Sequence, residues 1–283
     1  MTNNGGFLSA GEEAPPMNVY GIDVEIRNVP ALDKGFIPMA AYTRAFERSA
    51  QNGRDLVIAV ERNQGQVAVR RCKIHGTPDM AKADALYVDR TVKMLLWAYG
   101  GWKVFVCGDE TLGRQIADAY KPGGSREFDA DFMSRVYERD FEVAILPLDA
   151  APAEKSVATP VGRHLDGCRI GFDAGGSDRK VSAVVDGVPV YSEEVVWYPK
   201  TNSDPDYHFE GIVSAFKSAA AKMPRVDAIG ISSAGVYVDN RAMVASLFIK
   251  VPRDEFDKKV KDIYLRAAKE IGDVPVQVAN DGD

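Results

Sequence analysis

Gly171-Phe172-Asp173-Ala174-Gly175-Gly176-Ser177 sets an acid, two adjacent glycines and a hydroxyl in one short run. Glycines let backbone N–H groups approach an anion closely, Ser177 can donate one more hydrogen bond, and Asp173 can hold a hydrated Mg²⁺. That is equipment for a nucleotide phosphate. The same residues also make an ordinary hairpin turn in which Asp173 caps its own loop, and a short Gly-rich turn does not by itself choose between the two. A second group able to do chemistry is Asn280-Asp281-Gly282. A carboxylate at Asp281 can accept the proton of an attacking hydroxyl, while the plainer reading is a tight turn after a strand. Between the two groups lies the small-residue loop Ser232-Ser233-Ala234-Gly235.

The elements that must position these residues read as follows. Residues 168–173 form a strand, 180–185 a returning strand, and Asp186-Gly187 is a two-residue hairpin signal leading into a third strand at 188–196. A helix over 210–223 carries Ile212, Val213, Phe216, Ala219, Ala220 and Met223 on one face. A buried strand at 227–232 follows. A helix over 254–271 keeps a 3.6-residue period through Phe256, Val260, Ile263, Tyr264, Ala267, Ala268 and Ile271, and 275–279 is a last strand.

The preceding chain reads as a flexible arm at 1–16, a mixed α/β domain at 17–148 and a Pro- and Ala-rich linker at 149–162. Within the domain, strands at 55–61 and 66–74 flank the turn Arg62-Asn63-Gln64-Gly65 as a hairpin. A helix at 83–99 stops at Gly100-Gly101, a strand follows at 102–107, and Asp109 caps a helix to Tyr120. A helical stretch at 129–135 and a strand at 141–146 complete it. Helices interrupted by strands leave no helix-turn-helix.

Bulk properties narrow the partners. With 283 residues and 46% hydrophobic content the chain can build two cored domains. Its 35 basic and 41 acidic residues give a net charge of −6 and no basic footprint for nucleic acid. The N-terminus lacks the basic flank and apolar core of a signal peptide, and no stretch offers the ~18 apolar residues of a membrane span. The expectation is a cytoplasmic protein that binds neither nucleic acid nor membrane. Cys72, Cys107 and Cys168 read as reduced, small buried side chains. His75, His164 and His208 fall in no ligand spacing and read as surface or loop residues. Trp97, Trp102 and Trp197 read as core or interface rings, and Asp204, Asp206 and Glu210 as capping charges ahead of a helix.

The order of parts from about residue 163 to 283 resembles the actin, hexokinase and Hsp70 superfamily. Within it, the Asp-x-Gly-Gly-Ser and Asn-Asp signals resemble the ROK family of sugar kinases and sugar-responsive repressors. The fold this implies is the N-terminal lobe of a ribonuclease H-like (actin-like ATPase) α/β fold with a mixed sheet, preceded by a separate mixed α/β domain. By position, the resemblance makes Asp173, Gly175, Gly176 and Ser177 the first phosphate loop, with Asp173 reaching Mg²⁺ through water. It places Ser233 and Gly235 beside the sugar, makes Asn280 a sugar-hydroxyl ligand and makes Asp281 the catalytic base. The implied activity is ATP- and Mg²⁺-dependent phosphoryl transfer to a sugar hydroxyl, without a covalent intermediate.

Three positions depart from that family. Asp178 stands where the phosphate loop usually continues with lysine, Ala279 where a glutamate precedes Asn-Asp, and Ala234 where the sugar loop carries proline. The changes at Asp178 and Ala279 support an alternative, a non-catalytic sugar- or nucleotide-sensing protein that retains the fold. A third reading makes the first domain a substrate-selecting cap. The family's zinc-binding Cys/His motif and its second phosphate and adenosine loops would lie beyond Asp283, so zinc is not supported by this chain. The expectation is therefore a first lobe alone, with its last strand along an edge meant for a missing second lobe or for another copy in a homo-oligomer.

Overall fold

The structure is a computed structural model that describes residues 16–157 and 164–282. The expected arm, apart from Pro16, lies outside the described residues, as do Asp283 and residues 158–162 of the expected linker. Two compact units make up the chain, the first reaching Val157 and the second holding the chain beyond it, with Arg135–Tyr137 grouped with the second.

In the first unit, β1 (Met17–Val19) and β2 (Ile22–Val24) pair antiparallel, and α1 (Met39–Ser49) follows. None of the three was legible from periodicity. α1 is held by its few apolar residues: Phe46 is buried and stacks on Tyr87 with ring centroids 4.1 Å apart. The main sheet contains β3 (Arg54–Glu61), β4 (Val67–Ile74), β5 (Lys103–Cys107) and β6 (Glu142–Leu146) in the order β4-β3-β5-β6. The expected hairpin is β3–β4, antiparallel from Arg54↔Ile74 to Glu61↔Val67. β3 is central, which is why Leu56 to Val60 can be an unbroken apolar run, all of it buried. α2 (Ala81–Tyr99), α3 (Glu110–Tyr120) and α4 (Glu127–Tyr137) complete the unit, and Asp109 caps α3 by accepting from the Leu112 N–H at 2.9 Å. The described start of the expected linker belongs here. Val67 and Lys155 exchange both backbone hydrogen bonds, at 2.8 and 3.0 Å.

The second unit contains β7 (Cys168–Ala174), β8 (Asp178–Val185), β9 (Val188–Val196), α5 (Pro205–Ala220) and β10 (Ala228–Ser233). After them come β11 (Val236–Val238), β12 (Arg241–Val244), α6 (Arg253–Glu255), α7 (Ile263–Lys269) and β13 (Val276–Ala279). Its sheet has the order β13-β10-β7-β8-β9, with β8 antiparallel to both neighbours and β7, β10 and β13 mutually parallel. A three-strand meander from the central strand, followed by two parallel strands on its other side, is the ribonuclease H-like arrangement of an actin-like ATPase lobe. One face is the core: Ile170, Phe172, Val181, Ile229, Ile231 and Val278 pack against Phe216 of α5 and Tyr264 of α7. Alternation sends Gly171, Ser182 and Gly230 to the other face.

Two expectations are corrected here, and one element that was not expected is added. α5 starts at Pro205, not residue 210, because Asp204 caps it by accepting from the Asp206 N–H at 2.9 Å and Pro205 fits the first helical turn. The expected single helix over 254–271 is broken by a π turn at Phe256–Val260. The widened turn frees carbonyls that other groups take: Arg266 donates to the Lys259 oxygen at 2.7 Å and the Ala242 N–H to the Lys261 oxygen at 2.9 Å. The buried stripe from Val260 to Ala268 survives the break, so the sequence period concealed it. Finally, a β11–β12 hairpin turns through Asp239 and Asn240, both left-handed.

That hairpin modifies the edge expected at the last strand. β13 does end the sheet, but Asn240 Nδ2 donates to the Val276 carbonyl at 3.0 Å and its Oδ1 accepts from the Val278 N–H at 2.8 Å. One side chain stands in for a neighbouring strand. Asn240→Gly, which keeps the left-handed turn and removes the amide, will lower stability by about 1–3 kcal/mol in urea unfolding. A loss under about 0.5 kcal/mol, the scale of a neutral surface change, would show that the edge does not need it.

Candidate functional site

Parallel register brings the separated motifs to one edge. Asp173 on β7 lies beside Ser232 on β10, which lies beside Ala279 on β13. All three strands end there, where the chain order changes direction around β7, the usual place for a ligand in such sheets. Across two ladder spacings the Asp173 and Ala279 positions stand about 10 Å apart. Asp281 follows just past the end of β13 and is exposed.

The turn from β7 to β8 carries the candidate phosphate loop. Among the described residues nothing accepts from the Gly175, Gly176 or Ser177 N–H groups, and Gly176 and Ser177 are exposed. Three free donors in succession suit an anion. A Cβ at Gly175 would sit 2.6 Å from the Asp178 carbonyl oxygen, so only glycine fits this turn. The Ser177 hydroxyl donates to the Asp178 carboxylate at 3.3 Å, and Lys180 donates to it at 2.8 Å. The Lys180 hydrogen bond holds the Asp178 carboxyl below its ordinary range, and the same contact holds the Lys180 ammonium above its own. Both are therefore charged at neutral pH. Asp173 is half-exposed with Lys180 Nζ 4.0 Å away, on the sheet face opposite the helices. It borders a groove of about 590 Å³ with Lys180, Ser192, Ser232 and Gln277.

The other side of the edge is held together by side chains that sequence reasoning gave to the ligand. Ser233 is fully buried. Its hydroxyl donates to the Ala174 carbonyl at 3.4 Å and accepts from the Tyr264 hydroxyl at 3.1 Å, so it ties β10 to β7 and α7 instead of facing a substrate. Burial raises the Tyr264 phenol well above its ordinary range, which keeps it a donor. Gly235 presents its carbonyl to Asn280 Nδ2, and Asn280 Oδ1 accepts from the Gly282 N–H at 2.7 Å. Asn280 therefore shapes the turn that carries Asp281. Gly235 has φ +155°, and a Cβ there would meet the Val244 carbonyl oxygen at 2.7 Å. Tyr237 donates to the Ala234 carbonyl at 3.4 Å, and its phenol is pushed up by burial, with the negative charge of Asp281 adding to the effect.

Sequence reasoning missed Lys180 and Tyr237, and named Ser232 only as the start of the small-residue loop. Period-2 alternation from Asp178 would have sent Lys180 and Ser182 to the same face as Asp173, but the unexpected hairpin concealed Tyr237. Of the histidines, His164 is an exposed loop residue and His75 lies in a loop, as expected, and only the expectation for His208 is corrected. His208 is fully buried, with both ring nitrogens against backbone carbonyl oxygens, and His75 contacts Asp84 at 3.1 Å. Of the tryptophans, Trp197 is a core ring and Trp97 is 46% exposed.

No family model matches the chain. No curated protein matches it either. Solved structures similar to it include sugar kinases and an exopolyphosphatase. The polyphosphate/ATP-glucomannokinase of Arthrobacter sp. strain KM is 19% identical over 42% of this chain and 46% of its own, with a TM-score of 0.32. A Listeria monocytogenes protein described as an N-acetylmannosamine kinase is 24% identical over 40% of this chain and 35% of its own, with a TM-score of 0.29. The Cytophaga hutchinsonii exopolyphosphatase is 12% identical over 63% of this chain and 62% of its own, with a TM-score of 0.19. The match spans less than half the length of either kinase. Superpositions this distant add no argument to the strand order, on which the fold assignment rests. No described helix is long and apolar enough to cross a membrane.

Proposed function

We propose that the second unit is the first lobe of a sugar kinase that transfers the γ-phosphoryl group of ATP to a sugar hydroxyl. The observation that carries this reading is the shared edge: a glycine turn with free N–H groups at the end of β7, and a carboxylate just past the end of β13. In this reading Gly175, Gly176 and Ser177 hold phosphate oxygens, and Asp281 takes the hydroxyl proton as that oxygen attacks. Asn280 and Gly235 set the turn against which the sugar lies, and Ser233 positions the loop from within the core.

The residues fit a magnesium ion. Mg²⁺ keeps several waters and needs one or two carboxylates plus phosphate oxygens, and Asp173 offers one half-exposed carboxylate at the mouth of the turn. When bound, the ion neutralises charge on the phosphate oxygens. Asp178 is already engaged by Lys180 and Ser177, so Asp173 is the better ligand.

The test is ADP release by the whole protein with ATP, Mg²⁺ and a panel of hexoses and N-acetylhexosamines. Release that depends on one sugar is the expected result. Sugar binding by calorimetry without ADP release would sink the kinase and leave a sensor that retains the fold.

A further inference from the structure

The segment after β9 braces the glycine turn and brings a cation to it. Trp197 Nε1 donates to the Gly175 carbonyl at 2.8 Å, and the Trp197 N–H donates to the Ser177 carbonyl at 3.1 Å. Both bonds use carbonyl oxygens, so the N–H groups of the turn stay available. The next residues form a 3₁₀ turn, Pro199–Thr201. It is fixed to α5 at two points: His208 Nε2 lies 3.0 Å from the Pro199 carbonyl oxygen, and the Tyr198 N–H donates to the Tyr207 hydroxyl at 3.0 Å.

Lys200 sits on that turn. Its Cε and Nζ both lie 2.8 Å from the point where a Cβ on Gly176 would project, so the ammonium fills the space that this glycine leaves open. Lys200 is exposed and, among the described residues, has no ion-pair or hydrogen-bond partner. Of the cations that β8 brings near the turn, Lys180 is spent on Asp178 and Arg179 lies over the Trp197 ring, 5.7 Å from its centre. Asp173 and Asp178 place two carboxylates beside the turn, so a phosphate entering it gains from a cation, besides the Mg²⁺ it arrives with, that no carboxylate has engaged.

We propose that Lys200 is a phosphate-binding residue of this site, laying its ammonium against the anionic oxygens held by the N–H groups of Gly175–Ser177. The proposal rests on the reading of that turn as a nucleotide-phosphate site. It gives the turn a cation that arrives from a different element, on a base fixed by buried Trp197, Pro199 and His208.

Calorimetry of Mg·ATP and of adenosine with the whole protein, at low and high salt, tests it. Lys200→Ala should weaken Mg·ATP about tenfold, ~1.4 kcal/mol, flatten the salt dependence and leave adenosine binding unchanged. Lys200→Arg should keep most of the affinity, and both variants should melt with the wild type. If Lys200→Ala binds Mg·ATP as the wild type does while Asp173→Asn weakens it, Lys200 has no part in binding and the reading of the turn stands. If the wild type binds no Mg·ATP, that reading fails and takes Lys200 with it.

Discussion

Asp281→Asn lowers sugar-dependent ADP release by about 10²–10⁴-fold, the usual contribution of a positioned general base. The substitution keeps the shape and removes the proton acceptor. The turn does not need the carboxylate to form, because Asn280 holds it from both sides through the Gly235 carbonyl and the Gly282 N–H. Asp281 is exposed, so the variant should melt with the wild type. Loss should fall on kcat with KM for the sugar little changed, since the base acts only on the reacting proton. Steady-state kinetics on the sugar that gives the highest turnover measures this. A variant with wild-type kcat would remove Asp281 from the chemistry while leaving the fold untouched.

Trp197→Ala costs about 3–5 kcal/mol of stability, the range for deleting a large buried ring. Its indole is 1% exposed and lies against Gly211, where a Cβ would come within 3.3 Å of the ring. It also meets His208 edge-on at 6.3 Å and carries the Arg179 guanidinium at 5.7 Å from its centre. Glycine at 211 lets α5 approach this closely, so neighbouring side chains cannot collapse into the space. Trp197→Phe separates the two jobs of the residue. It keeps much of the packing but loses the donor to Gly175, which should weaken Mg·ATP by loosening the turn more than it lowers stability. Urea unfolding followed by far-UV circular dichroism gives both stabilities. A cost for Trp197→Ala below about 1 kcal/mol, no more than an average point change, would mean that the indole does not brace the glycine turn tightly.

Much of the architecture was legible because its signals are local. Asp186-Gly187 between two alternating runs specifies the β8–β9 hairpin, and the structure turns there with both residues at positive φ. The apolar run from Leu56 to Val60 marks a central strand, and Asp109 caps the helix it was expected to cap. α1 escaped notice because few of its residues are buried, and its place depends on Phe46 meeting Tyr87 far along the chain. The π turn at Phe256–Val260 escaped for the opposite reason, since a shift in hydrogen bonding leaves the side-chain stripe nearly intact. Residue type suggested that Ser233 and Asn280 face a ligand. Type alone cannot say whether a hydroxyl or an amide is already satisfied by a carbonyl across the fold.

By itself the sequence determined the order of strands and helices from β3 to β10, the glycine turn after β7 and the presence of an acid just past the last strand. Those depend on nearest neighbours: backbone freedom at glycine, alternation in strands, and a hydrophobic face on each helix. Only the tertiary structure decided that Asp173, Ser232 and Ala279 share a row, that Ser233 is spent in the core, and that Lys200 reaches Gly176. Parallel register and the docking of the 3₁₀ turn on α5 set these contacts, and both come from packing between segments whose separation along the chain no local pattern encodes.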